Sequence, residues 1–172
     1  MNRSMIVRAL VGCALAAVLV CSGCGSGRLS ADAFRAKANR ICAQMNRRTN
    51  ALDTLTMRTL KVGLRTIQTG ISQLDRLRPP VSEARRYAEF LSSLRRTMAL
   101  LRQEGPEIVM LVHELDRAMP RRVSARPPAR YLAITRRLTQ LARPLDAAIH
   151  PAVVNARALG LRQCSFGTRS SS

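Results

Sequence analysis

Residues 60–80 read LKVGLRTIQTGISQLDRLRPP, and the spacing of their apolar side chains predicts the fold class. Leucine or isoleucine recurs at steps of three or four residues, which is typical of a helix that buries one face against another helix. Gly63 and Gly70 flank this stripe and indicate either a tight helix crossing or a crevice for a small ligand. The proline pair stops the helix, because a residue before proline avoids the helical conformation. The stripe consists of Leu60, Leu64, Ile67, Ile71, Leu74 and Leu77.

The sequence on both sides repeats this helical spacing. An apolar stripe predicts a first helix over about residues 31–52, with Ser30 as its N-cap. Asp53 and Thr56 are both candidate caps for the second helix, and Ser82 is the predicted cap of the third. A last stripe predicts a fourth helix from near Ala129. These segments predict an all-α, antiparallel four-helix bundle over residues 30–165.

Prolines and glycines predict the breaks between and within these helices. The Gly-Pro pair at residues 105–106 is expected to end the third helix and start a short fifth segment. Pro144 and Pro151 are expected to kink or split the last helix. Residues 119–128, rich in proline and arginine, predict an exposed loop. Residues 159–161 read Leu-Gly-Leu, the pattern of a glycine C-cap.

The first 24 residues have the pattern of an export signal. Two arginines and no acid precede a 12-residue apolar run, and a membrane-spanning helix needs about 20 residues. We therefore predict a cleaved signal peptide over residues 1–23. The sequence Cys-Ser-Gly-Cys at residues 21–24 resembles the lipobox of bacterial lipoproteins. This resemblance implies that Cys24 becomes the lipidated N-terminus at the extracytoplasmic face of the cell membrane.

Residues 24–29 would then be a flexible tether, and the small, polar residues 166–172 are expected to form a disordered tail. Ordinary cleavage after Gly23 or Gly25, giving a freely secreted protein, is the alternative to lipidation.

Two cysteines remain in the predicted bundle, Cys42 near its start and Cys164 near its end. In an oxidising compartment they predict one disulfide, and two buried free thiols are the alternative. The bond would close a long loop and contribute on the order of 5 kcal/mol to stability. The two histidines, His113 and His150, have no paired-ligand spacing, so we predict neither a metal nor a cofactor.

The charge of the chain predicts an anionic partner. Without residues 1–23 the chain holds 27 basic and 10 acidic residues, a formal net charge of +17. Such an excess suits anionic phospholipid, a wall polymer or an acidic envelope protein. The export signal and the presence of only five aromatic residues argue against nucleic acid. The sequence gives no indication of the oligomeric state.

A row of basic residues recurs at seven-residue steps along the predicted last helix. On a continuous helix the row lies opposite the apolar stripe and drifts by about 20° per step. It is either an anion-binding surface or simply the solvated face of an arginine-rich protein. We name this row the basic ridge, and its members are Arg136, Arg143, His150 and Arg157.

Three short motifs resemble a group of small exported helical proteins from actinobacteria. They lie at residues 34–42, at Leu-Arg-Pro-Pro in residues 77–80, and at residues 158–164. The resemblance implies a helical fold with the two outer cysteines paired, and it implies no active site.

The residues themselves also indicate no enzyme. The acidic group around His113 has the pattern of a solvated helix face. The sequence therefore predicts a membrane-anchored, non-catalytic interaction or scaffold module. The alternative is an exported carrier of a small ligand, with a groove beside Gly63 and Gly70.

Overall fold

The computed structural model describes residues 27–119 and 128–164, which form four α-helices and one 3-10 turn without any strand. The predicted all-helical fold class is therefore confirmed. The predicted signal peptide, Cys24, the tail at residues 166–172 and most of the predicted loop lie outside the described residues. The elements are α1 (Ala31–Asn50), α2 (Met57–Asp75), α3 (Val81–Ala118), α4 (Ala129–Ala158) and a 3-10 turn (Arg162–Cys164).

Side-chain caps define the starts of α1 and α2. The Ser30 hydroxyl accepts a hydrogen bond from the backbone N–H of Ala33 at 3.3 Å, as the sequence predicts. Thr56, rather than Asp53, caps α2. Its hydroxyl accepts from the N–H of Thr59 at 3.1 Å, and the Thr59 hydroxyl accepts from the N–H of Thr56 at 2.8 Å. This reciprocal capping box satisfies two N–H groups that the helix leaves unpaired.

Two predicted helix boundaries differ from the structure. α1 ends at Asn50, before the predicted end at residue 52. Ser82 is not the N-cap of α3, because the helix already begins at Val81. Pro80 precedes it in an extended conformation, and its carbonyl accepts a hydrogen bond from the N–H of Glu83 at 3.0 Å. The fixed φ angle of proline lets the chain enter the helix without a side-chain cap.

The prolines inside α3 and α4 do not divide these helices. α3 continues through residues 105–106, and α4 continues through Pro144 and Pro151, so the predicted fifth segment and the predicted split are wrong. Each proline costs about 3 kcal/mol or more inside a helix. Apolar residues are buried before and after each proline, so the buried face of each helix continues past it. These residues are Met98, Val109 and Leu111 in α3, and Leu141, Ala148 and Ala152 in α4.

The core has two parts of different size. The larger cluster draws residues from all four helices and the 3-10 turn, whereas the smaller cluster draws residues from α3 and α4 alone. α3 has 38 residues and α1 has 20, so α3 is about 57 Å long and α1 about 30 Å. The two long helices therefore continue as a pair beyond the shared core, and we name this pair the two-helix arm. Its core consists of Leu111, Ile134 and Leu141, with Ile108, Leu115, Ala118 and Leu138 packed against them.

A disulfide joins α1 to the turn that follows α4. Cys42 and Cys164 are bonded, with a Cα–Cα distance of 5.1 Å, and both are fully buried. The predicted pairing is therefore confirmed. Two asparagines of α1 reinforce the bond. The Asn39 amide donates to the carbonyl of Gly160 at 3.3 Å, and the Asn46 amide donates to the carbonyl of Gln163 at 2.7 Å.

The end of α4 is a glycine C-cap, as predicted. Gly160 has φ +72°, a conformation that glycine adopts without strain. The N–H of Leu161 donates to the carbonyl of Ala156 at 2.8 Å. The N–H of Gly160 donates to the carbonyl of Arg157 at 3.0 Å. These two bonds form a Schellman motif, which turns the chain back toward α1 and places Cys164 against Cys42.

Candidate functional site

Two acidic residues of the two-helix arm, Glu107 and Glu114, form ion pairs across it. Arg137 of α4 donates two hydrogen bonds to the Glu107 carboxylate of α3, at 2.6 and 3.0 Å. Arg130 approaches Glu114 at 3.5 Å. The hydrogen bonds from Arg137 hold the pKa of Glu107 below its usual value, and Glu107 in turn raises the pKa of Arg137. These two carboxylates bridge α3 and α4, and His113 is exposed without a carboxylate partner among the described residues.

The described part of the chain contains no group of three histidine, cysteine or acidic side chains placed to hold a metal. The carboxylate of Glu83 comes nearest to a buried polar site. One of its oxygens pairs with Arg35 at 2.6 Å, and the other is buried with no hydrogen-bond partner within the described residues. Because Arg35 already compensates its charge, Glu83 joins α3 to α1 and offers no separate chemistry.

The structure places all four residues of the basic ridge on α4, and all four are exposed. Since α4 continues past both prolines, the seven-residue spacing keeps them on one side of a single helix. None of these side chains makes a hydrogen bond or an ion pair with another residue of the described ranges. Asp146 is the one acid on this helix, three residues after Arg143 and four before His150, and it forms no ion pair with the ridge.

The two glycines of α2 lie against α1 and the residues after it. A Cβ atom at Gly70 would lie 2.6 Å from the sulfur of Met45, and the opening beside it measures only about 10 Å³. This volume is at the limit for one water molecule, so the crevice interpretation is wrong at Gly70. A Cβ atom at Gly63 would lie 3.4 Å from Leu52, and Gly63 lines an apolar groove of about 270 Å³.

A second basic surface, which the sequence analysis missed, lies between α2 and α3. It is a cleft of about 440 Å³ with three cationic side chains and no acidic one in its lining. The Arg102 guanidinium donates a hydrogen bond to the side-chain oxygen of Gln68 at 2.8 Å. We name it the basic cleft, and it is lined by Lys61, Leu64, Arg65, Gln68, Thr69 and Arg102.

Only part of the basic cleft could have been found in the sequence. Lys61 and Arg65 are four residues apart and therefore share one helix face. Arg102 joins them from another helix, and no spacing along the chain indicates that contact.

No family model matches the chain, and no significantly similar protein was found among curated proteins or solved structures. None of the described helices combines the length and the apolar character needed to cross a membrane. Function is therefore inferred from the two basic surfaces and from the residues around them.

Proposed function

We propose that this chain is a bacterial surface lipoprotein, and that its helical bundle is a non-catalytic interaction or scaffold module for an anionic envelope partner. The lipid on Cys24 would anchor the bundle at the outer face of the membrane. Anionic phospholipid, a wall polymer or an acidic protein would then meet the basic ridge. The observation that carries this proposal is the ridge itself, whose four exposed basic residues lie on one helix and form no ion pair among the described residues.

The proposal includes an antiparallel order of the four helices, which contacts at one end of the molecule support. The N–H of Leu29, before α1, donates to the carbonyl of Arg78, after α2, at 3.0 Å. Arg35 in α1 pairs with Glu83 at the start of α3 and donates to the carbonyl of Leu159 at the end of α4, at 3.1 Å. The starts of α1 and α3 therefore meet the ends of α2 and α4, as an up-down-up-down order requires.

This arrangement determines how the ridge would reach a membrane. The predicted tether meets the bundle at the end where α4 finishes. Arg28 and Leu29 are already hydrogen-bonded to Pro79 and Arg78, so residues 24–27 remain to span about 14 Å at most. Arg136 lies about 32 Å along α4 from Arg157, whereas attraction to headgroups fades within about 10 Å. The whole ridge acts on lipid only when α4 lies along the membrane surface. We therefore propose that the bundle lies flat, with α4 facing the headgroups.

Binding to vesicles of phosphatidylglycerol tests the role of the ridge. Each arginine near an anionic surface contributes about 1 kcal/mol, so replacing Arg136, Arg143 and Arg157 with glutamine should weaken binding by roughly 100-fold. Vesicles of phosphatidylcholine should bind wild type and variant equally weakly.

The matched control removes the same charge from other helices. Its substitutions are Arg40→Gln, Arg86→Gln and Arg96→Gln, all at exposed residues that form no ion pair within the described ranges. Equal binding by the ridge variant and this control would mean that only net charge matters, and the ridge would have no specific role.

A carrier of a small apolar ligand is the second candidate, and the groove beside Gly63 favours it. Leu52, Leu60 and Ile67 are among its lining residues, so a neutral, apolar ligand would suit it. A neutral fluorescent probe such as Nile red should bind to wild type. The Gly63→Leu variant should bind the probe more weakly, because the leucine side chain fills the groove. Undiminished probe binding to that variant would exclude the groove as the site.

A further inference from the structure

Four arginines of the described residues bridge two helices by pairing with a carboxylate. Arg35 pairs with Glu83, Arg95 with Asp75, Arg130 with Glu114 and Arg137 with Glu107. In each pair the acid compensates the charge of the guanidinium where two helices meet. Each of these pairs therefore links two helices, and the charges of its two side chains cancel.

Arg102 bridges α3 to α2 in the same way, but its partner is neutral. It donates to the amide oxygen of Gln68 at 2.8 Å, so the guanidinium is held in place while its charge remains uncompensated. Lys61 and Arg65 add two more positive charges to the same cleft. Like charges four residues apart on a helix destabilise it by about 0.2–0.5 kcal/mol. An anion in the cleft would remove this repulsion.

We propose that the basic cleft is a binding site for a phosphate monoester, with Lys61, Arg65 and Arg102 as the residues that hold the phosphate group. A phosphate monoester carries about 1.5 to 2 negative charges at neutral pH, which matches a site with three cations and no acid. The planar guanidinium of arginine donates to two phosphate oxygens at once, and the lysine ammonium adds a compact charge.

The size and the remaining lining of the cleft suit such a ligand. Its volume of about 440 Å³ accommodates a phosphate together with a small organic group. Leu64 offers an apolar contact to that group, and Thr69 offers a hydroxyl. The inference is independent of the lipid anchor and of the basic ridge, because none of the cleft residues lies on α4.

Replacing Gln68 with glutamate tests the site without removing any cation. The new carboxylate would pair with Arg102, as carboxylates do in the four other bridges, and would occupy the cleft with its own negative charge. Binding of a phosphate monoester should then weaken by about tenfold or more, since a hydrogen bond to a charged group contributes about 1.5–3 kcal/mol. Gln140→Glu is the matched control, because it adds the same charge at an exposed position on α4.

Titration calorimetry on the full chain with three probes distinguishes the possible sources of the ligand. The probes are inorganic phosphate, glycerol 3-phosphate and dihexanoyl phosphatidic acid at concentrations below micelle formation. Binding of either of the first two, lost in Gln68→Glu and kept in Gln140→Glu, supports the site with a soluble ligand. The same pattern with phosphatidic acid alone supports the site with a lipid headgroup as its ligand.

A second pair of variants tests the cations of the cleft directly, without adding a carboxylate. Arg65→Gln with Arg102→Gln should abolish the binding that Arg86→Gln with Arg96→Gln retains. The proposal is overturned if no probe binds to wild type, or if Gln68→Glu binds as tightly as Gln140→Glu.

Discussion

Tyr87 combines apolar packing with a hydrogen bond in the larger core. It is 3% exposed, and its ring packs edge-on against Phe34 and face-on against Phe90, with centroid distances of 4.9 and 5.9 Å. Its hydroxyl donates to the carbonyl of Leu74 at 2.7 Å, which fixes the end of α2 to α3. Burial, and secondarily the negative charge of Asp75, raises the pKa of Tyr87 above its usual value, so the phenol remains a donor.

Replacing Tyr87 with phenylalanine should lower the free energy of unfolding by about 1 kcal/mol, because it removes this hydrogen bond and keeps the ring contacts. Urea denaturation monitored by circular dichroism measures the change. Tyr131→Phe is the matched control, with an expected change within about 0.5 kcal/mol, since the Tyr131 hydroxyl makes no hydrogen bond within the described ranges. Equal stability of the two variants would contradict the assigned role of the Tyr87 hydroxyl.

The apolar position of Tyr87 was predictable from the sequence, but its hydrogen bond was not. Tyr87 follows Ala84 by three residues and precedes Leu91 by four, a helical spacing that predicts burial, and the structure shows that it is buried. The acceptor at Leu74 belongs to another helix, and its position depends on how α2 ends. The helix caps at Ser30 and Gly160 were predictable from the sequence, because the donor and the acceptor of each hydrogen bond are close in the chain.

At the scale of the helices, apolar periodicity correctly predicted which segments are helical. The prolines led to the wrong prediction that α3 and α4 are interrupted. Residues 105–106 and Pro151 interrupt the local hydrogen-bonding pattern, which is all that a sequence window contains. The structure shows that apolar residues on both sides of these prolines are buried, and at residues 105–106 the helix runs from the larger core cluster to the smaller one. At Pro106 the cost of about 3 kcal/mol is smaller than the gain from burying Met98, Val109 and Leu111, at about 1.5–3 kcal/mol each.

The two glycines of α2 should respond differently to alanine. Gly63→Ala should raise the free energy of unfolding by about 0.5–1 kcal/mol, because the new methyl group meets Leu52 at an ordinary contact distance. Gly70→Ala should lower it by about 1 kcal/mol, because the buried sulfur of Met45 must move to admit the methyl group. Thermal unfolding of the two variants side by side measures the contrast. A gain for Gly70→Ala as large as that for Gly63→Ala would show that the crossing is not tight.

At the scale of the molecule, the disulfide covalently joins the first helix of the bundle to the turn that follows the last helix. Cys42 and Cys164 are 122 residues apart in sequence, and closing such a loop contributes about 5 kcal/mol in the chain-entropy model. Marginal stability of a domain is typically about 5–15 kcal/mol, so this bond would be a large share of it. The pairing was predictable because the cysteine count, together with the predicted export, left one pair of cysteines in the bundle.

The distribution of charge over the molecule was less predictable. The ridge follows from a seven-residue spacing on one helix, and the structure places its residues as expected. The basic cleft forms because Arg102 of α3 contacts Gln68 of α2. The two-helix arm forms because α3 and α4 extend beyond α1 and α2. Both features require tertiary contacts that a single sequence does not specify.

The proposed export and lipidation connect the disulfide, the charge and the ridge, and intact-mass spectrometry of the protein extracted from native membranes tests them most directly. We expect a chain that begins at Cys24, carries a diacylglycerol group and lacks the two thiol hydrogens of Cys42 and Cys164. A mass that retains Met1, with both of those thiols reduced, would contradict the proposed export and the oxidised state of the fold.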